Sequence, residues 1–408
     1  MLDKQIIFWL WLQCCLGVDN TRMHRIFESF DDAQQIYLAD ENELRLSEVF
    51  TEREMTKLTD KNLVTAKKIY NNCVMLGYDI LSLKDKNYPK RLKNIPTPPV
   101  VIYIKGNLPP QDSLHTAIVG TRHSTKTGKD TAFSIAYNLA KNGVVIVSGG
   151  ALGIDMQTHR GAIQAGGKTI CVLGCGINSN YLAENNDLRN EIAKHGAVIS
   201  EYPPNYPPTK YTFPKRNRII SGISDCTAII EAGKTSGSLI TAQYAVKQHR
   251  TVFAVPGSIE NINSQGSNML IKEGAKTLLD FNDILTWYKN KSSNDSKTTD
   301  IQITEKAVRN IRNSDKKEML ELESKKAEIS DLQDKKTSIN NKKQTNPLTE
   351  QLTDSASAVY DTISDIPIHV DDIKLKTNLG INKILIALTE LEINGLIVSQ
   401  SGRRYIRK

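Results

Sequence analysis

The chain has 408 residues, 39% of them hydrophobic, with 53 basic and 45 acidic side chains and a formal charge of +8. That length supports roughly two to four packed domains, and the mild positive balance favours a polyanionic partner without forming a basic tail anywhere. Six cysteines with no CxxC pair, and no His pair near Cys171 and Cys175, argue against a zinc site or a disulfide framework and fit a reducing cytoplasm.

The segment IIFWLWLQCCLGV, Ile6 to Val18, is too short to span a bilayer. Gln13 interrupts it and no small-residue cleavage point follows, so it reads as a buried helix rather than a targeting segment. Short helices continue through NTRMHRIFESF, with Asn20 as a cap, and TDKNLVTAKKIYNNCVMLG, which Gly77 ends. Pro89, Pro96, Pro98 and Pro99 then break helix formation, and VVIYIKG, Val100 to Gly106, reads as a connecting strand. A helical N-terminal domain over 1–106 is the expectation.

From His115 the pattern changes. Strands are expected at 116–120, 144–149, 168–174, 197–202, 226–232 and 251–257, and helices between them at 128–142, 154–165, 184–195, 216–223 and 237–248. The strand runs are short and wholly apolar, as in strands covered on both faces. Strand–helix alternation at this spacing predicts an α/β fold with a parallel, doubly wound, Rossmann-like sheet over 107–288.

Residues 289–350 are rich in Lys, Ser, Asn, Asp and Glu and have no aromatic residue. They read as a charged, disordered linker, with Met319, Leu322, Ile329 and Leu332 spaced as in a helical stretch within it. Residues 351–408 give three helices, then two strands around Ser401 and Gly402, which is a winged-helix pattern. The third helix is mostly apolar and its Glu390 and Glu392 outnumber Lys383. DNA-reading, protein-contacting and structural roles all stay open for this domain.

In an open parallel sheet, ligands bind beyond the carboxyl ends of the strands. Unusual loops lie at nearly every such end, among them GTRHSTKTG (120–128), SGGALGID (148–155), EYPPNYPPTKYTFPKRNR (201–218) and EAGKTSGS (231–238). Glycine allows close backbone approach, and helix N-termini offer free N–H groups, so these loops make a phosphate cradle. Familiar nucleotide motifs fail. GKT at 233–235 lacks the first glycine of a Walker A loop, where Ala228 stands, and GCGINS at 174–179 has Ser179 for its third glycine. No nucleotide cofactor is expected.

Lys210, Phe213, Lys215, Arg216, Asn217 and Arg218 fall on that same rim, and Arg122 comes from the loop after the first parallel strand. Guanidinium, ammonium and amide groups hold phosphates, and the ring of Phe213 or Tyr211 can stack a base. This mixture suits single-stranded nucleic acid. The competing arrangement turns Arg216 and Arg218 inward onto Glu201, Asp155 or Glu231. Catalytic pairs are thin: Asp155 and His159 are four apart on one helix face, a spacing met more often in a helix-face hydrogen bond than in an acid/base unit. Ser148, Ser236 and Ser238 lack a nucleophile elbow.

The pieces IVGTRHSTKTG, SGGALGIDMQTHRGAIQAGGKTICVLGCGIN, ISEYPP, FPKRNRIISGISDCTAIIEAGKTSGSLITAQYAVKQHR and VFAVPGSI, in this order over about 115–280, resemble the DNA-processing protein A (DprA/Smf) family. The helical N-terminus looks like a sterile-alpha-motif-type bundle, and the winged-helix end fits one version of the family's layout. The resemblance implies a cytoplasmic, non-catalytic protein of natural transformation. It would bind incoming single-stranded DNA, protect it and load the RecA recombinase, acting as a homodimer with no cofactor. It places DNA contacts on Arg122, Lys210, Phe213, Arg216 and Arg218, with backbone contacts from Gly237 and Ser238. The alternative is an enzyme, a nucleotide phosphoribohydrolase of the lysine-decarboxylase-like Rossmann group. Such an enzyme needs a carboxylate at the start of the helix after EAGKTSGS, and none occurs from Gly233 to Arg250.

Overall fold

The computed structural model describes residues 4–292, 353–365, 367–377, 379–400 and 404–407. They belong to two compact units, Met1–Glu323 and Ser324–Lys408.

The first unit begins with helices Lys4–Leu16, Met23–Ser29, Ala33–Leu38, Glu41–Leu46, Glu52–Asp60 and Val64–Leu76. A helix that is apolar all round must be covered, and Trp9, Leu10, Trp11 and Leu12 of the first are all buried. Gln13, polar and buried beside them, is satisfied from outside the bundle: its Nε2 donates to the Glu201 carbonyl at 2.9 Å and its Oε1 accepts from the Tyr103 hydroxyl at 2.7 Å. Asn20 does not cap a helix. Its side chain accepts from the Arg22 N–H at 2.9 Å and shapes the turn before Met23. Lys61, with φ 52, closes the helix Glu52–Asp60, so the last helix starts only at Val64; Gly77, with φ 65, ends it.

Among the described residues nine strands form one sheet: β1 Asp79–Ser82, β2 Val101–Gly106, β3 His115–Val119, β4 Val145–Ser148, β5 Thr169–Leu173, β6 Gly196–Ser200, β7 Cys226–Ile229, β8 Thr251–Ala254 and β9 Lys276–Thr277. Their order is β1-β2-β6-β5-β4-β3-β7-β8-β9. β3 to β9 run parallel, while β2 lies antiparallel to both β1 and β6. The strand expected as a connector, β2, is therefore a member of the sheet, and β1 and the two-residue β9 are additions too short to read from a run of residues.

Successive strand residues face opposite sides. Ala117, Val119, Val145 and Val147 pack into the core that runs on into the N-terminal bundle, whereas Ile118 and Ile146 pack with Ala132, Ile135, Leu139 and Ile154 on the other face. The helix Thr212–Gly222 starts four residues before the expected 216. Pro214 sits in its first turn, where a missing N–H breaks no intrahelical bond.

From β3 the chain lays down β4, β5 and β6 to one side, then returns to place β7 on the other. The crevice at the carboxyl ends of β3 and β7 is thus the topological switch point. The loops after those two strands and the crossover helix Thr212–Gly222 bring their residues to it.

In the second unit, helices Asp354–Tyr360, Val370–Thr377 and Ile381–Ile393 join strands β10 Ile368–His369, β11 Ile397–Gln400 and β12 Arg404–Arg407, ordered β10-β12-β11 and antiparallel. This is the expected winged helix with one further short strand, around a core that includes Val359, Ile373, Ile384, Leu388 and Leu391. The strand turn at Ser401 and Gly402 lies outside the described residues. So does the 293–350 part of the expected linker, with Met319, Leu322, Ile329 and Leu332; its first four residues belong to the helix Phe281–Ser292. Glu390 accepts from the N–H and the hydroxyl of Thr353 at 2.9 and 2.7 Å, fastening the third helix to the start of the first.

Candidate nucleic-acid interface

At the switch point the sheet opens into a cleft of about 570 Å³, lined by Arg122, Lys210, Phe213, Arg216, Asn217, Gly237 and Ser238 among others. The loop after β3 forms one wall. Thr121 donates its N–H to the Glu231 carbonyl at 2.8 Å. Gly153 has φ 82, and a Cβ there would meet the Thr121 carbonyl oxygen at 2.5 Å, so only glycine lets the helix Ile154–Gln164 start this close beneath the loop. Arg122 projects from the loop, exposed, and has no carboxylate partner among the described residues. Its guanidinium carbon stands 5.4 Å from the centre of the Phe213 ring, a cation–aromatic contact.

Phe213 and Arg216 come from the crossover helix, on the same face because they are three apart. The Phe213 ring packs on Gly174 and lies 4.8 Å from the Tyr181 ring. Arg216 forms the floor, buried. Its Nη1 donates to the carbonyls of Gly149, at 2.7 Å, and Val172; its Nε donates to Asn217 Oδ1 at 3.1 Å. A Cβ on Gly149 would fall 2.7 Å from Asp155 Oδ2 and 2.8 Å from Arg216 Nη1. Burial pushes the Asp155 carboxyl up, opposed by the charge of Arg216, and burial pulls Arg216 down, opposed by Asp155. The third wall is the SGS turn. Asn217 Nδ2 donates to the Gly237 carbonyl at 3.2 Å, and Ser236 and Ser238 pair their hydroxyls at 2.8 Å. Gly237 is exposed with open space where a side chain would be, at the N-terminus of the helix Ser238–Lys247. Exposed Lys210 lies at the mouth, its ammonium 5.1 Å from the Tyr211 ring.

Two expected residues are not brought into the cleft. Lys215 is half-buried and does not line it. The expectation for Arg218 is corrected: it is fully buried, with Nη2 donating to Glu201 Oε1 at 2.6 Å and Nε to Asp19 Oδ1 at 3.1 Å. A guanidinium with two carboxylate partners and no exposed surface cannot reach a phosphate. Of the three carboxylates weighed as inward partners, Glu201 takes Arg218 and Asp155 lies against Arg216. Glu231 instead accepts from the N–H and hydroxyl of Thr125 at 2.9 and 2.6 Å.

Asp155 and His159 do not act as a pair: His159 Nδ1 is bonded to Thr169 Oγ1 at 2.8 Å, and Ser148 donates to the Ile118 carbonyl at 2.6 Å. Among the described residues no cluster of three or more His, Cys, Asp or Glu is placed to hold a metal. The sequence reading missed Tyr181, which backs Phe213, and Thr121, His123 and Thr235 in the lining. Tyr181 sits in an irregular stretch after β5 with no periodicity to single it out.

A doubly wound Rossmann-like sheet with a basic, aromatic-bearing cleft at its switch point, accompanied in the same chain by a winged helix, defines the class of protein. The comparisons make it specific. The model of the DNA recombination-mediator protein A family matches residues 79–289, and that of the DprA winged helix domain matches 343–403. The chain belongs to this family. It is 29% identical to Protein Smf of Synechocystis over the whole of both chains. It is 36% identical to DNA processing protein DprA of Streptococcus pneumoniae over 67% of this chain and 95% of that one. The X-ray structure of DprA from Streptococcus pneumoniae superposes with a TM-score of 0.61 at 33% identity, covering 69% of this chain and 97% of that one.

Proposed function

We propose that the cleft binds single-stranded DNA, that the protein shields the strand and loads the RecA recombinase onto it during natural transformation, and that no bond is made or broken in the process. The observation that carries this reading is Arg122: a guanidinium without a carboxylate partner among the described residues, placed over the Phe213 ring at the mouth of a cleft with bare backbone at Gly237. A phosphate and a neighbouring base fit that set, because Arg binds the anion while a ring stacks any base without reading its sequence. The family description, a recombination mediator, supports the hand-over to a recombinase.

The absence of acidic residues between Gly233 and Arg250 favours binding over phosphoribohydrolase chemistry, as does the engagement of Glu201 with Arg218 away from the cleft. We also propose a homodimer, and the cytoplasm as its compartment. Six unpaired cysteines support the latter; no helix among the described residues is long and apolar enough to cross a membrane. The test is anisotropy titration of a labelled oligo-thymidine against the full chain, followed by nuclease protection and RecA-filament assays with the same oligonucleotide. A nucleoside monophosphate that loses its base in the presence of the protein would overturn the non-catalytic reading.

A further inference from the structure

We infer that Glu231 is a positioning residue for DNA binding: it clamps both ends of the loop that carries Arg122. The inference rests on the cleft reading above. Glu231 follows β7 at the switch point and is buried. Its main-chain carbonyl accepts from the Thr121 N–H at 2.8 Å, just before Arg122. Its carboxylate reaches the far end of the loop, where Oε2 accepts from the Thr125 N–H at 2.9 Å and Oε1 from the Thr125 hydroxyl at 2.6 Å. Thr125 in turn caps the helix Lys126–Lys141, its Oγ1 accepting from the Gly128 N–H at 2.9 Å. A Cβ on Gly128 would come within 2.3 Å of the Glu231 carboxyl carbon, so the glycine is what admits the carboxylate here.

Between the two clamped points Arg122 and His123 project into the cleft. A long side chain on a fixed backbone loses less freedom on meeting a phosphate than the same side chain on a loose loop. The carboxylate also stands at the N-terminus of the helix Lys126–Lys141, where an anion is favoured by the free N–H groups. It thereby meets that helix end's demand from inside the chain, and leaves ligand phosphates to Arg122, Lys210 and the turn at Gly237.

The test is a double-mutant cycle on the full chain, read as oligo-thymidine affinity over a salt series. Arg122→Ala and Glu231→Ala each weaken binding about five- to tenfold, and the double variant is no weaker than Arg122→Ala alone, because Glu231 acts through Arg122. The slope of log affinity against log salt shallows by about 0.7 in all three, the share of one phosphate on a single strand. If Glu231→Ala does not fold, Thr125→Val removes the hydroxyl partner and shows the same non-additivity, while Thr125→Ser keeps affinity within about twofold. Independent, multiplying losses, or full affinity in Glu231→Ala or Thr125→Val, overturn the inference while leaving the cleft in place. Full affinity in Arg122→Ala overturns the cleft reading and the inference together.

Discussion

Arg216 and Arg218 sit two positions apart on one helix, so their side chains point about 160° away from each other, and the structure gives them opposite surroundings. Arg216 lies under the cleft with Asp155 behind it, and Arg218 lies between Glu201 and Asp19. A single basic cluster in the sequence therefore divides into a part of the cleft and a structural ion pair.

Arg218→Ala leaves the Glu201 carboxylate buried without its partner, and removing one member of a buried pair costs about 3–5 kcal/mol. Urea denaturation is expected to show that loss, while oligonucleotide affinity of the folded protein stays within about twofold of the parent. Replacing Arg218 with Met and Glu201 with Leu together recovers most of the stability. A DNA-binding defect in the doubly substituted, folded protein would restore Arg218 to the interface.

Arg122→Ala has the reverse profile. The side chain is exposed and makes no ion pair among the described residues, so unfolding free energy changes by no more than about 0.5 kcal/mol. Affinity for single strands falls about five- to tenfold, about 1 kcal/mol, measured at fixed salt by anisotropy.

Phe213 supplies a ring face, and base–aromatic stacking contributes about 1–3 kcal/mol per base. Phe213→Tyr keeps the face and is expected to keep affinity; Phe213→Leu keeps much of the contact with Gly174 but loses stacking. Equal binding by both variants would remove stacking from the account.

Burial, aided by the nearby Arg216 charge, holds the His159 imidazole at about 3, and burial with Arg91 nearby holds His115 at about 4, against an ordinary value of 6.5. Both folded values lie below the unfolded one. Between pH 6.5 and those values the unfolded chain takes up protons that the folded chain does not, so the contribution of these two groups to stability is complete above about pH 6.5 and falls as pH drops. Each group costs about 1.4 kcal/mol per pH unit within its window. Denaturation midpoints at pH 7.5 and 5.0 measure the fall, and His159→Gln is expected to flatten it.

The parallel strands and their helices were legible because buried strands are short, wholly apolar runs and the turns between them carry glycine. The edge strands β1 and β9 were not: Asp79–Ser82 and Lys276–Thr277 are too brief for periodicity to register. The site's loops were legible as glycine-rich strand ends, and Arg122, Phe213, Asn217 and Gly237 were placed by them. Arg218 was misassigned because residue type does not tell which side of a helix faces solvent. Of its partners, Glu201 is among the carboxylates the sequence offers but nothing there selects it, and Asp19 lies 199 positions away on a different element. The part played by Glu231 was hidden for the same reason, since its clamp closes across strands that are neighbours only in the folded sheet.

Gln13 bridges Tyr103 and Glu201, Asp19 meets Arg218, and the apolar interior runs unbroken from Trp11 to Val147. The opening helices and the sheet are consequently one cooperative piece. Scanning calorimetry of residues 1–292 would show a single endotherm, and trimming the first twenty residues would lower the melting temperature of the sheet itself.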